Sequence, residues 1–421
     1  MESESIALSA SPPNARHPDI ALVLQGGGAR AAYQVGVLKA LCEILDNPAE
    51  NPFPIICGTS AGAINAAVLA VNADNFSRGV EILVNVWSHF SPDQVYRTDF
   101  SGVAACSSKW LSAFLLGAVS RNRKVSLFDN SPLTTLFDKH IDLKRLDGHI
   151  AFGKLRAVCV SASGYTSGQN CAFFQGAADL YGWKRSQRVG IRVSNLRHEH
   201  LLASSAIPFA FPAMKINREY FGDGSIRQMA PVSPALHLGA QRVFVVGTAK
   251  LQKGAPERTK GDIYPSLAQI AGHAMSSIFL DTLAVDIELL QRVNATLTLV
   301  DPERLKASGM NLRNVDVCVA CPQESLDGLA HRHVYDLPWT IRFLMRSIGA
   351  MRRGGAALAS YMLFDKNYCR ALIDMGYRDL IVRRDEIRPF FDPDFRPPPV
   401  LVPANKFDPN QTFEMEAIAN G

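Results

Sequence analysis

Residues 54–62 are Pro54-Ile-Ile-Cys-Gly-Thr-Ser60-Ala-Gly62, and this stretch decides the fold. Its apolar first half predicts a buried strand at 54–57, and the small residues from Ala61 to Ala70 predict a helix directly after it. The turn between them has the pattern G-x-S-x-G, in which a serine lies on a sharp strand-to-helix turn. Such a turn presents a hydroxyl at the carboxyl edge of a sheet, near a helix N-terminus that favours developing negative charge.

A second strand and helix precede this stretch. Residues 19–25 are an apolar run that ends at glycines, which predicts another buried strand. Apolar residues then recur with helical spacing from Ala31 to Leu45. Strand, helix, strand and helix in close succession indicate a parallel βαβ unit, and we therefore predict an α/β fold with a mostly parallel central sheet.

The rest of the chain extends this plan. We expect four segments, namely a disordered leader at 1–18, a catalytic domain at 19–250, a helical extension packed on that domain at 251–387 and an irregular Pro-rich tail at 388–421. Further strands are predicted within the second segment, at 156–161, 172–174, 220–221 and 242–247. The apolar but irregular segment Ser101–Lys124 is a candidate for a helical cap or lid.

The composition restricts the class of protein. Apolar residues make up 47% of the chain and charged residues 20%, which is typical of a globular protein and excludes wholesale disorder. The net charge of +5 is too small and too dispersed to indicate a nucleic-acid partner, but it does not oppose peripheral contact with an anionic membrane. Eight cysteines without framework spacing, no secretory signal and no membrane-spanning stretch together predict a cytoplasmic location.

A glycine-rich loop follows the first predicted strand as Gly26-Gly27-Gly28-Ala29-Arg30. Neighbouring parallel strands would bring it beside Ser60, where its free backbone N–H groups suit an oxyanion hole for a tetrahedral intermediate. The same loop also satisfies the loose dinucleotide pattern G-x-G-x-x-A. However, the next strand leads into the serine turn and lacks the acidic residue that would bind a ribose, so nucleotide binding is disfavoured.

A nucleophilic serine needs a base, and the sequence offers two kinds. Asp223 lies between glycines in Phe221-Gly-Asp-Gly-Ser225, but D-G is also a common turn dipeptide, and by itself the motif favours an ordinary turn. The histidines, among them His237, His273 and His331, lie in no distinctive turn. A Ser-His-Asp carboxylesterase for soluble esters therefore remains an alternative, as does a catalytically inactive lipid-binding protein.

These three motifs, in this order, resemble the patatin-like phospholipase family, whose pattern is G-G-G-x-R, then G-x-S-x-G, then D-G well downstream. The resemblance covers about residues 20–250 and includes 31–38 and the stretch 203–208 ahead of the aspartate. It implies a three-layer α/β/α sandwich and a serine–aspartate dyad in place of a triad. It also implies metal-independent hydrolysis of lipid acyl esters, such as those of phospholipids, without a cofactor.

The resemblance also assigns roles to individual residues. It implies that Ser60 is the nucleophile and Asp223 the base. It places Gly26, Gly27, Gly28 and Arg30 in the oxyanion hole. The nucleophile elbow around Ser60 then consists of Gly58, Thr59, Ala61 and Gly62, and Gly224 forms the turn beside the base. Arg30 either braces its loop or binds a phosphate, and bracing is favoured. Ser225 departs from the family, which usually has Gly or Ala there; its hydroxyl is close enough in sequence to bond Asp223.

The apolar segments Trp110–Val119 and Phe209-Ala-Phe211 are candidates for an acyl channel or a membrane contact, although burial in the core is favoured for both. The expected partner is therefore a phospholipid or another acyl-ester lipid, which the resemblance suggests more strongly than these segments do. The oligomeric state is left open by the sequence.

Overall fold

The computed structural model describes residues 20–97, 126–251, 266–279, 281–309, 312–347, 349–351, 355–392 and 394. The predicted leader, the candidate lid Ser101–Lys124 with its segment Trp110–Val119, and most of the predicted tail lie outside the described residues.

A single mixed sheet forms the centre of the described structure. Its strands are β1 Ile20–Leu24, β2 Ile55–Thr59, β3 Ala157–Gly164, β4 Asn170–Gly176, β5 Trp183–Arg185, β6 Arg188–Arg192, β7 Met214–Ile216, β8 Glu219–Asp223, β9 Arg242–Val246 and β10 Asp316–Ala320. The order across the sheet is β10-β9-β1-β2-β3-β4-β6-β5, with β8 paired to β3 and β7 to β8. All pairings from β10 to β3 are parallel, so the predicted mostly parallel α/β sheet is confirmed.

Helices surround the sheet. Those in the described residues are α1 Ala32–Ile44, α2 Ala61–Val71, α3 Phe76–Ser88, α4 Ser131–His140, α5 Arg145–Ala151, α6 His198–Ser204, α7 Ser233–His237, α8 Leu267–Phe279, α9 Asp281–Leu297, α10 Pro302–Ala307, α11 Leu326–His333, α12 Trp339–Ser347, α13 Ala356–Met362, α14 Lys366–Ile381 and α15 Arg384–Ile387. The predicted helices at 31–45 and 61–70 correspond closely to α1 and α2.

Two apolar cores separate the layers. Successive side chains of a strand point to opposite faces of a sheet, and along β1 Leu22 and Leu24 enter one core whereas Ala21 and Val23 enter the other. Helices α1, α2, α3 and α14 cover the first face, and α7 and α9 cover the second. The described residues thus form the expected three-layer α/β/α sandwich.

The predicted helical extension at 251–387 also contributes a strand, β10, which the sequence analysis did not predict. Asp316–Ala320 is a parallel edge strand beside β9, so the sheet crosses the predicted boundary at residue 250. The run is only five residues long, too short for its period to distinguish a strand from a helix. Arg383 donates to the carbonyl of Val319 at 2.8 Å and so covers part of the exposed edge.

The helices α8 and α9 make up the apolar run Gln269–Leu297. Among the described residues this run is, by length and composition alone, apolar enough to cross a membrane, since an 18-residue window within it has a mean hydropathy of 1.2; the sequence analysis identified no such stretch. Within it, Leu283, Ile287 and Leu290 pack into the second core, and Asp286 accepts a hydrogen bond from the backbone N–H of Val232 at 2.9 Å. Part of the run therefore serves as a covering helix of the sheet.

Two glycines bring α1 and α14 into backbone contact. A Cβ atom at Gly36 would overlap the carbonyl oxygen of Ile373, and a Cβ atom at Gly376 would overlap that of Tyr33. The contact is reciprocal, since each helix supplies one glycine and one carbonyl. Because α1 begins directly after the glycine-rich loop, this crossing fixes the helix that carries the loop.

Replacing Gly36 by alanine is expected to destabilise the fold by about 1–3 kcal/mol, because neither backbone can move aside for the added methyl group. The matched control is Gly148→Ala in α5, where a Cβ atom would meet nothing within 4 Å. That change should be neutral or stabilising, by at most ~1 kcal/mol, since alanine favours a helix over glycine. Urea unfolding measures both, and equal stabilities for the two variants would contradict the proposed backbone contact.

Candidate active site

Ser60 lies on the sharp turn between β2 and α2. Its backbone has φ 55° and ψ −131°, a conformation that costs free energy for a residue other than glycine. The flanking glycines are required by space, since a Cβ atom at Gly58 would press on the backbone of Ala63 and one at Gly62 on the carbonyl of Leu24. The turn therefore has the geometry that the G-x-S-x-G pattern predicts.

Strand register brings Asp223 to this turn. Strand β2 ends at Thr59, opposite Ser161 of β3, and β8 continues along the same edge of β3 with Asp223 opposite Ala162. Ser60 follows Thr59 directly and so faces the end of β8. Its hydroxyl donates a hydrogen bond to Oδ2 of Asp223 at 2.5 Å. Two residues far apart in the sequence thus form one buried pair.

The carboxylate of Asp223 is fully buried. Its Oδ1 accepts the backbone N–H of Ser225 at 2.9 Å, which begins the helical turn Gly224–Arg227. Burial raises the pKa of Asp223 from 3.8 to about 6, although the hydrogen bonds from Ser60 and Ser225 act in the opposite direction. The carboxylate is therefore ionised at neutral pH, yet it is a stronger base than an ordinary aspartate. The Ser225 hydroxyl is also buried, and its interaction with the carboxylate lowers the pKa of Asp223.

The stretch 203–208 holds both members of this pair in place, a role that sequence reasoning missed. The hydroxyl of Ser204 accepts the backbone N–H of Ser60 at 2.8 Å and donates to the carbonyl of Ser161 at 2.6 Å. The backbone N–H of Asp223 donates to the carbonyl of Ala206 at 2.9 Å. The resemblance marked this stretch, but only the fold shows what its residues contact.

The glycine-rich loop lies beside Ser60, as the parallel strand order predicts. Gly28 has a φ of +55° and lines the same cavity as Ser60. Within the described residues, the backbone N–H groups of Gly27, Gly28 and Ala61 donate to no protein acceptor. Thr248, which the sequence analysis did not identify, fixes the loop by donating from Oγ1 to the carbonyl of Gly26 at 2.7 Å. The loop can thus offer N–H groups to a developing oxyanion.

Arg30 braces this loop. Its buried guanidinium donates to Oγ of Ser360 and to Oδ1 of Asp327, both at 2.7 Å, and lies 4.2 Å from the ring centre of Tyr361. Its backbone N–H donates to the carbonyl of Gly27 at 3.1 Å. These contacts favour the bracing role, and the placement of Arg30 in the oxyanion hole stays a prediction.

An apolar cavity opens at Ser60. It is narrow, about 50 Å³, and the side chains that line it are almost all apolar, including those of Ile64, Val68, Leu83, Trp87, Phe90, Leu133, Phe137, Ile141, Ile207, Phe211 and Phe364. Of the predicted channel segment 209–211, Phe211 lines the cavity whereas Phe209 is exposed. The lining next to the serine is therefore apolar, like a hydrocarbon chain.

The histidines of the described residues do not serve Ser60, because none of them makes a hydrogen bond with its hydroxyl. His237 lies on the opposite face of the sheet, where its ring stacks on Trp183 at 4.7 Å. His140 lines the apolar cavity, and burial lowers its pKa. The hydroxyl of Ser60 is thus paired with a carboxylate and not with an imidazole.

Comparison with known proteins identifies the family. The sequence profile of the patatin-like phospholipases matches residues 22–236, which is just over half of the chain. The chain therefore belongs to the patatin-like phospholipase family, and the resemblance of its three motifs is confirmed.

Individual relatives match shorter stretches. The chain is 54% identical over 55 residues to lysophospholipase nte1 of Aspergillus terreus, which is 13% of this chain and 3% of that protein. It is 46% identical over 50 residues to the cUMP-AMP-activated phospholipase of Escherichia coli, which is 12% of this chain and 16% of that protein. The chain thus spans less than a fifth of either curated relative.

Solved structures match more of the chain at lower similarity. Human GIVD cytosolic phospholipase A2 aligns with a TM-score of 0.40 and 12% identity, over 89% of this chain and 59% of that chain. VipD from Legionella pneumophila aligns with a TM-score of 0.29 and 14% identity, over 85% of this chain and 67% of that chain.

The raised pKa of Asp223 makes a prediction about stability. Since the folded state binds the proton more tightly than the unfolded state does, stability is lost as pH rises from the unfolded pKa near 3.8 to the folded pKa of about 6. Asp223→Asn removes this titration. The difference in free energy of unfolding, variant minus wild type, should therefore be up to about 3 kcal/mol larger at ~pH 8 than at ~pH 4. Denaturant unfolding at both values measures it, and an unchanged difference would contradict the burial of an ionised carboxylate.

Proposed function

We propose that this protein hydrolyses carboxylic esters of lipids, with Ser60 as the nucleophile and Asp223 as the base. The observation that carries the proposal is the 2.5 Å hydrogen bond from the Ser60 hydroxyl to a buried carboxylate, formed where an apolar cavity opens. Membership of the patatin-like phospholipase family supports the same conclusion.

The first step forms an acyl-enzyme. Asp223 takes the proton from Ser60 as Oγ attacks the ester carbonyl, and the N–H groups of Gly27, Gly28 and Ala61 bind the resulting oxyanion. The tetrahedral intermediate collapses as the proton passes from Asp223 to the departing alcohol or lysolipid. The acyl group is then bound to Ser60, and its hydrocarbon chain occupies the apolar cavity.

The second step releases the acid. Asp223 takes a proton from water, which attacks the acyl carbonyl, and returns the proton to Oγ of Ser60 as the bond breaks. Its pKa of about 6 suits this role, because the base is mostly ionised at neutral pH but holds a proton better than a solvated carboxylate does. The base, the nucleophile and the oxyanion donors all come from the protein, so the proposed chemistry requires no metal and no cofactor.

The cavity favours lipids over soluble esters. Its lining residues offer large apolar surface and almost no polar contacts away from Ser60, which suits an acyl chain. The alternative of a Ser-His-Asp carboxylesterase requires a histidine that bonds the hydroxyl of Ser60, and none of the described histidines does so. An inactive lipid-binding protein would not need the strained serine, the buried base and the open N–H groups together.

Ser60→Ala and Asp223→Asn are each expected to lower turnover of a p-nitrophenyl acyl ester by at least ~10³-fold, because the nucleophile or its base is lost. His237→Ala is the control and should retain turnover, since its ring stacks on Trp183 on the opposite face of the sheet. A fluorophosphonate probe should label the wild type and spare Ser60→Ala. Normal hydrolysis by either of the first two variants would refute the dyad.

We further propose that Asp327 is a positioning residue, which acts through Arg30 on the glycine-rich loop. The ion pair joins a buried guanidinium to a half-exposed carboxylate on α11 at 2.7 Å. Tyr361 supports the same loop, since its carbonyl lies so close to Gly28 that a Cβ atom there would overlap it. Helices from the second half of the chain thereby set the direction of the oxyanion donors.

Asp327→Asn should lower kcat by about tenfold and change KM little, because the donors act on the transition state and not on the bound substrate. Glu324→Gln, an exposed acid three residues earlier, is the matched control and should leave kcat unchanged. The double variant Arg30→Met with Asp327→Asn should be no slower than Arg30→Met alone, as expected for two residues that act as one unit. Additive losses would contradict the brace.

A further inference from the structure

The helix α12 carries its aromatic residues on the solvent side. Ile341 and Met345 are buried in the first core, whereas Trp339 is 62% and Phe343 73% exposed. Trp339 and Phe343 are four residues apart and therefore lie next to each other on one face of the helix. A surface helix normally reserves large apolar side chains for its buried face, so the exposed pair needs a separate explanation.

Basic residues accompany this pair. Arg346 is exposed and Arg342 half-exposed, and helical spacing places both beside the aromatic rings. Tyr335, 56% exposed, lies in the turn before the helix and accepts a hydrogen bond at its carbonyl from Arg342 at 3.3 Å. We call these five residues the α12 face. The helix itself, Trp-Thr-Ile-Arg-Phe-Leu-Met-Arg-Ser, contains no acidic residue.

The α12 face is attached firmly to the part of the protein that holds the active site. Ile341 and Met345 belong to the same core as Trp87 and Phe364, which line the cavity at Ser60. A short turn joins α12 to α11, the helix whose Asp327 binds Arg30 of the glycine-rich loop. A surface that bound through α12 would therefore be coupled to the catalytic unit by rigid packing.

We propose that the α12 face docks the protein onto a bilayer that contains anionic phospholipids. Tryptophan and tyrosine favour the boundary between headgroups and hydrocarbon, where the ring is buried and the polar atom stays hydrated. Arginines beside them gain from the negative potential of anionic headgroups. A helix face that combines aromatic rings with two arginines is complementary to such a plane. The purpose of this docking rests on the proposed lipid substrate, whereas the binding itself does not.

Vesicle sedimentation tests the binding without turnover. The full chain carrying Ser60→Ala should sediment with phosphatidylcholine vesicles that contain phosphatidylserine, and more weakly with phosphatidylcholine alone. Adding Trp339→Ser and Phe343→Ser should weaken binding to both vesicles by at least about tenfold. Adding only Arg346→Gln should weaken binding to the anionic vesicles alone, and this surface change leaves the packing of the helix intact.

Matched controls on other surfaces distinguish docking through the α12 face from non-specific binding to vesicles. Phe152→Ser, at an 84% exposed phenylalanine after α5, and Arg292→Gln on α9 should bind vesicles as the parent chain does. Equal losses from the control changes, or unchanged binding after the α12 changes, would overturn the proposal. So would a dimer in size-exclusion chromatography that Trp339→Ser and Phe343→Ser dissociate, because the face would then bind a second copy.

Activity gives an independent readout. In the otherwise wild-type chain, Trp339→Ser with Phe343→Ser should reduce hydrolysis of vesicle phospholipid by at least about tenfold and leave hydrolysis of a soluble p-nitrophenyl ester unchanged. Equal losses on both substrates would overturn a docking role. If the wild type hydrolysed neither substrate, the proposed function would fail, yet vesicle binding of the Ser60→Ala chain would still decide the docking proposal.

Discussion

The hydrogen bond between Ser60 and Asp223 depends on a buried carboxylate that has no cationic partner among the described residues. Such a group is costly to ionise, and here the hydrogen bonds from the serine hydroxyl and from the N–H of Ser225 stabilise its charge. The same burial that makes the carboxylate costly also makes it basic. Much of the surrounding geometry, from the strained turn to the register of β8 on β3, keeps these two side chains together.

The sequence predicted the first half of the site well because the determining signals are local. A strand that ends at a glycine-flanked serine, followed by a helix of small residues, defines Ser60 within one short stretch. Asp223 was different, since D-G by itself indicates a turn. No local pattern shows that β8 pairs with the same edge of β3 as β2 does, beyond the point where β2 ends. Only the family pattern supplied it. Register between distant strands is a property of the whole sheet, and periodicity does not contain it.

The misses have the same origin. Arg30 bonds Asp327 and Ser360, which lie about three hundred residues further along the chain. No motif there points back to the glycine-rich loop. Strand β10 was missed because five residues carry too little pattern. The contacts that favour the bracing role of Arg30 lie outside its own loop, so a loop motif cannot show them. The sequence analysis therefore lacked the contacts that the second half of the chain makes with the glycine-rich loop and with the edge of the sheet.

The catalytic motifs therefore occupy a shorter stretch of chain than the unit that folds. The matching profile ends at residue 236, after the nucleophile, the base and all three loop glycines. A fragment cut there would lose β9, which pairs with β1 along its whole length, and would turn a central strand into an open edge. It would also lose α14, against which α1 packs backbone to backbone. Every catalytic motif would be present in such a fragment, and the scaffold that aligns them would be gone.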